Sequence, residues 1–353
     1  FVSDDAIDFP TVAGMVAACR GDWTLDSFER VEQGTDFVAR VACSTPNGER
    51  RAVLKATIAE WMAPEIARAE PRLFELVGRE TEIPVPEVYG FVDRHDEYPA
   101  PFYLVEERPG ENFEGRPEEL LPAARERVIR EAGGNLAALH ELGEQPRVGR
   151  VGVSDGDLAI LPTDHDADSE RELFRAGIDE TCDALADGTY FPDYADEPQR
   201  FVDLAEPLRE TLHARAGALT APEPPRYCHW DYRYGNLLVD SETGETTAVL
   251  DWANLSVREP AHNLASVESH LFDAYGQDTG GRASELRKLF RDSYESARDD
   301  WSFTPAKRDR METYLLKCRT EAMACLPLWL EDATPREKAV REREHREYVE
   351  KYL

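Results

Sequence analysis

The run His229-Trp-Asp-Tyr-Arg-Tyr-Gly-Asn236 sets a carboxylate five residues ahead of an amide, and Asp251 follows fifteen residues later at the end of the apolar stretch Ala248-Val-Leu-Asp251. These are residue types that phosphoryl transfer uses: a carboxylate to orient an acceptor hydroxyl, and two oxygen donors to hold Mg²⁺ against phosphates. Asp231, Asn236 and Asp251 would fill those posts. Asp and Glu make up 71 of 353 residues, and most of them must be solvated. Asp231 and Asp251, however, lie beside apolar, strand-like residues, where an uncompensated carboxylate is costly.

Lys55 is an independent signal. It is the only lysine in the first 287 residues of a chain with six Lys and thirty-five Arg. A position that keeps an ammonium where Arg serves nearly everywhere else asks for a compact point charge, such as one reaching phosphates from a strand. The competing reading is an edge-strand lysine at the surface.

Taken together, H-x-D-x-x-x-x-N and the following hydrophobic-Asp-Trp resemble the catalytic and metal-binding loops of the aminoglycoside phosphotransferase and choline kinase superfamily, which shares the protein-kinase fold. The resemblance implies an α+β, two-lobed protein-kinase-like fold: a small antiparallel β-sheet lobe with one helix over 1–107 that binds nucleotide, and a larger, mainly helical catalytic lobe over 108–353. It implies ATP bound between the lobes with Mg²⁺, and in-line transfer of the γ-phosphoryl group to an alcohol.

Carried over by position, Asp231 would be the catalytic base, Asn236 a metal ligand, Asp251 the main Mg²⁺ ligand and His229 a brace for the loop. Arg233 stands where a γ-phosphate-contacting lysine occurs in protein kinases. Lys55, in Val53-Leu-Lys55, matches the phosphate-binding lysine; Glu70 matches the carboxylate that holds it, with Glu65 as the alternative. The loop Glu32-Gln-Gly-Thr-Asp36, with Gly34, would cover the phosphates. Phe102-Tyr-Leu-Val-Glu-Glu-Arg-Pro-Gly110 would join the lobes, with backbone groups of Glu106 and Arg108 on adenine.

One segment departs from the family pattern. Where Gly-Asp-Pro-x-x-Asp-Leu-Ala is usual, this chain has Arg258-Glu-Pro-Ala-His-Asn-Leu-Ala265. Asn263 is expected to cap a helix in place of the usual aspartate. The segment would lie near the acceptor.

The elements that must position these groups follow from periodicity. Residues 1–20 read as a short helix packed ahead of a sheet. Phe37–Cys43 and Arg51–Thr57 flank the turn Thr45-Pro-Asn-Gly48 and predict an antiparallel hairpin. A helix is expected over 64–77, then strands near 88–92 and 102–106, beyond the break Ile83-Pro-Val-Pro86. Apolar spacing over 122–142 predicts a long helix. A β-like island holds Tyr227–His229, Asn236–Val239 and Ala248–Asp251, helices resume at Ala261, and 335–353 reads as charged and solvated.

Composition limits the alternatives. A formal charge of −30 would repel a polyanion, so nucleic acid is not an expected partner. The Arg-over-Lys bias with dispersed acidity reads as adaptation to concentrated salt. No apolar run approaches the roughly 20 residues of a membrane span. Six cysteines without C-x-x-C spacing and no readable secretory signal suit a reducing cytoplasm. Asp164–Asp168 opens like a calcium loop but lacks its glycine and bidentate Glu. His262, Glu268 and His270 lack metal-binding spacing. The reading is an ATP- and Mg²⁺-dependent kinase of a small-molecule hydroxyl acceptor, aminoglycoside, choline, sugar or amino alcohol. The alternative is a pseudokinase-like module that binds nucleotide or a partner without turnover.

Overall fold

The computed structural model describes residues 7–31, 36–59, 62–163, 167–194, 199–220, 222–272, 281–299 and 301–353. In chain order its elements are α1 (Phe9–Cys19), β1 (Thr24–Val31), β2 (Phe37–Thr45), β3 (Gly48–Ala56), α2 (Pro64–Ala67), α3 (Ala69–Glu80), β4 (Val88–Val92), β5 (Phe102–Glu106) and α4 (Pro122–His140). There follow β6 (Gly149–Ser154), β7 (Asp157–Ile160), α5 (Glu170–Asp187), α6 (Ala205–Ala218), β8 (Arg226–Cys228), β9 (Leu237–Val239), β10 (Thr246–Val249) and β11 (Ser256–Arg258). The chain ends with α7 (Pro260–Phe272), α8 (Gly281–Ala297), α9 (Pro305–Trp329) and α10 (Pro335–Val349). Two compact bodies result. The first takes residues up to Val128, Arg150–Leu161 and Tyr234–Leu255; the second takes Ile129–Gly149, Pro162–Arg233 and Ser256–Leu353.

The first body is built on an antiparallel sheet in the order β1-β2-β3-β5-β4. Period-two alternation sorts its central strand: Ala52, Leu54 and Ala56 are buried in a core shared with Phe37, Ala39, Val41 and Leu104, while Val53 and Lys55 belong to the opposite face. Lys55 stands opposite Val38 on one side and Tyr103 on the other, so it is on an inner strand and the edge-strand reading fails. Helix α1 closes the core with Val12, Met15 and Val16, each worth about 1.5–3 kcal/mol of burial. The β2–β3 turn needs glycine at Gly48, whose φ is +106°.

The helix expected over 64–77 is two helices that meet at Arg68. Pro71 is the reason: it has no N–H for the carbonyl of Ala67, and its ring crowds that carbonyl. The sequence reading also omitted β1 and the β6–β7 hairpin.

The first body does not coincide with residues 1–107, because later chain is bonded into it. Glu111 and Val239 exchange backbone hydrogen bonds of 2.9 Å, and the Val249 N–H donates to the Pro84 carbonyl at 2.8 Å. These bonds bring the β9–β10 hairpin and the residues after it into the body that carries Lys55.

The second body is helical apart from the antiparallel pair β8–β11, and within it α7 packs on α9. The segment 335–353, expected to be solvated, forms a helix with a Thr334/Glu337 capping box. Its Arg341, His345 and Val349 are buried, so one face of this charged helix packs. Among the described residues no helix is long and apolar enough to cross a membrane. The six cysteines are unbridged.

Candidate active site

In the first body Lys55 is surrounded by carboxylates. Its Nζ donates to Glu70 Oε2 at 2.8 Å and lies 3.5 Å from Asp36 Oδ2 and 3.9 Å from Asp251 Oδ1. Burial alone would lower the lysine pKa, but Glu70 foremost, with Tyr103, Asp251 and Asp36, holds it well above the usual range, so the ammonium stays charged. Glu70 is 2% exposed, and its other oxygen accepts the backbone N–H of Trp252 at 3.2 Å. It therefore ties α3 to the residue after Asp251. The alternative partner Glu65 is exposed.

Asn236 and Asp251 lie in the same body. The Leu250 N–H donates to the Asn236 carbonyl at 2.8 Å, setting the backbone of Asn236 beside the residue before Asp251. Asp251 leaves strand geometry with φ +58° and ψ +62°, a left-handed conformation that Asp tolerates better than most residues. Asn112 Nδ2 donates to the Gly235 carbonyl at 2.5 Å and fixes the turn just before Asn236. No cluster of three or more His, Cys, Asp or Glu suited to a metal occurs among the described residues. Mg²⁺ on nucleotide needs only one or two protein carboxylates, with phosphates and waters completing its shell. One carboxylate and one amide oxygen fit that requirement.

Asp231 and Arg233 belong to the second body and pair there, Arg233 Nε donating to Asp231 Oδ1 at 2.8 Å. Burial would raise the Asp231 pKa, but Arg233, then His270 and His229, pull it below the ordinary carboxylate range. Asp231 is thus an anion suited to orienting a hydroxyl. Its loop is pinned on both sides: Trp230 Nε1 donates to Ser256 Oγ, and Asn135 Nδ2 to the Tyr232 hydroxyl at 3.0 Å.

Asn263 does not cap a helix. It is the fourth residue of α7 and fully buried. Its Nδ2 donates to the His229 carbonyl at 2.8 Å, and its Oδ1 faces His140 Nε2 at 3.1 Å. The departure from the family pattern therefore falls on a brace for the Asp231 loop.

Gly34 lies outside the described residues. The Glu106 N–H donates to the Glu87 carbonyl at 2.8 Å. The Arg108 side chain bonds the Thr247 carbonyl at 3.1 Å and the Glu106 carboxylate at 3.3 Å. His262 is buried against Glu170 and Arg258, and Trp252 is core. The sequence reading missed Asp36 as a neighbour of Lys55 and Asn263 as a brace.

The fold is that of protein-kinase-like small-molecule phosphotransferases. Over 95% of this chain and 97% of the other it matches a macrolide 2′-phosphotransferase of Brachybacterium faecium, with TM-score 0.54 and 15% identity. A microcompartment-associated aminopropanol kinase matches over 90% and 89%, with TM-score 0.55 and 17% identity. An aminoglycoside phosphotransferase of Streptomyces rimosus, solved with ADP and streptomycin, matches over 90% and 99%, with TM-score 0.53 and 18% identity. No curated protein sequence matches the chain. Residues 21–303 match the phosphotransferase enzyme family, and the chain belongs to that family.

Proposed function

We propose that the protein is an ATP- and Mg²⁺-dependent kinase that moves the γ-phosphoryl group to a hydroxyl of a small molecule of the aminoglycoside, choline, sugar or amino-alcohol class. The observation that carries this reading is the Lys55–Glu70 pair at 2.8 Å with Asp251 Oδ1 at 3.9 Å, in one body of a phosphotransferase family member.

In this reading Lys55 offers its ammonium to the α- and β-phosphates, and Glu70 keeps it from swinging away. Asn236 and Asp251 would hold Mg²⁺, which supplies positive charge to the phosphates when bound. Asp231 accepts a hydrogen bond from the acceptor hydroxyl, aims its oxygen at the γ-phosphorus and takes the proton as the new O–P bond forms and the bond from that phosphorus to the β–γ bridging oxygen breaks, with ADP leaving. A carboxylate held below its ordinary pKa is a weak base. That suits a loose transition state, where positioning matters more than early proton removal. Arg233 keeps Asp231 ionised and lends positive charge near the transferred group. Gly34 would cover the phosphates, and Glu106 and Arg108 would border the adenine.

The nucleotide function is proposed for residues 1–107, with acceptor binding and catalysis in 108–353. A cytoplasmic location in a salt-adapted cell is part of the same proposal. The test is a transfer assay with γ-labelled ATP against neutral and amino-bearing alcohols. Wild type should label an acceptor, and Asp231→Asn should lose labelling while binding nucleotide unchanged. Normal transfer by Asp231→Asn would remove Asp231 from the reaction.

A further inference from the structure

Asp36, the residue before β2, brings a third carboxylate to Lys55, and the reading above gives it no task. The two other carboxylates have one: Glu70 also takes the Trp252 N–H, and Asp251, with its side chain 35% exposed, carries the proposed metal role. Asp36 is 15% exposed, its Oδ2 is 3.5 Å from Nζ, and its Oδ1 is buried with no hydrogen-bond partner among the described residues. One ammonium thus faces three carboxylates. A nucleotide phosphate approaching Lys55 meets an anion that is already there.

We infer that Asp36 is a positioning residue that occupies Lys55 when no nucleotide is present, gives way to the phosphate, and sets the preference for metal-bound over metal-free nucleotide. The inference rests on the proposed nucleotide role of Lys55. The distances order the exchange. Glu70, at hydrogen-bond length, stays; Asp36, in the longer charge contact and with one oxygen unsatisfied, is the weaker holder. Its charge repels the tetra-anion ATP more than the metal complex, whose charge is partly neutralised.

The test is calorimetric titration of wild type, Asp36→Asn, Asp36→Ser and Asp36→Glu with ATP, in EDTA and in Mg²⁺. Removing the charge should tighten binding on the order of tenfold, more in EDTA than in Mg²⁺. KM for ATP should fall without a rise in kcat, and Asp36→Glu should restore wild-type behaviour. Nucleotide binding by wild type that is unchanged or weaker in both neutral variants overturns the inference alone. Absence of binding in all four proteins removes the nucleotide reading with it.

Discussion

Asn263 and His229 are joined by a buried hydrogen bond of 2.8 Å from the Asn263 amide to the His229 carbonyl. The bond ends a chain of polar contacts. Arg298 donates to the Tyr294 hydroxyl at 2.6 Å, that hydroxyl meets His140 Nδ1 at 2.6 Å, and His140 Nε2 meets Asn263 Oδ1 at 3.1 Å. With His140 neutral, the Nε2–H tautomer satisfies every member. The loop that carries Asp231 is thereby anchored on α4, α7 and α8.

Replacing Asn263 with Leu removes its hydrogen bonds to His140 Nε2 and to the His229 carbonyl, at a cost of about 0.5–1.5 kcal/mol each. Urea unfolding should register the loss. Turnover should fall further than nucleotide affinity, because the brace serves the Asp231 loop.

Burial pushes the His140 pKa down to about 3, with Arg298 and Arg226 adding to the effect. Its folded pKa is depressed from an unfolded value of 6.5, so its contribution is complete above pH 6.5 and is lost as pH falls toward 3. The loss is about 1.4 kcal/mol per pH unit in that window. Glu259 acts in the opposite sense: burial raises it to about 7 against the pull of Arg310, so its contribution declines as pH rises from 4.5. The stability difference between wild type and His140→Gln isolates the histidine and should shrink steadily below pH 6.5. A difference independent of pH would mean that His140 is not held neutral.

Glu70→Gln should weaken nucleotide binding and turnover together, and Lys55→Ala should do the same. Breaking a buried ion pair usually costs about 3–5 kcal/mol. Here Asp36 and Asp251 remain near the ammonium, so denaturant midpoints should place the Glu70→Gln cost nearer 1–3 kcal/mol.

These pairings also mark what the sequence could convey. Strands 88–92 and 102–106 were legible because Ile83-Pro-Val-Pro86 stops the helix and the apolar runs are short. The run His229–Asn236 was legible because its polar groups lie within one stretch of chain. Strand β1 was not: a register shift between Leu25 and Ser27 breaks its alternation, and four of its eight residues are exposed. The contacts of Asp36 with Lys55 and of Asn263 with His229 join distant segments, and neither leaves a local pattern. The placing of the 234–255 segment in the first body was not legible for the same reason, since it rests on backbone bonds to Pro84 and Glu111.

Asp251 combines a charge with a left-handed backbone, and two substitutions separate these. Asn tolerates that conformation, so Asp251→Asn should fold with nearly wild-type stability and lose transfer. Asp251→Ala should lose transfer and also about 1–2 kcal/mol of stability. Equal stability of the two variants would show that the backbone strain is relieved elsewhere.

The most direct test of the nucleotide site is the thermal unfolding midpoint of wild type and Asp251→Asn in multimolar KCl, with and without Mg²⁺-ATP. Ligand at a hundredfold over Kd adds about 2.7 kcal/mol, which moves the midpoint by several degrees. The account predicts that shift in wild type and a clearly smaller one in Asp251→Asn. No shift in wild type, or an equal shift in both proteins, would contradict it.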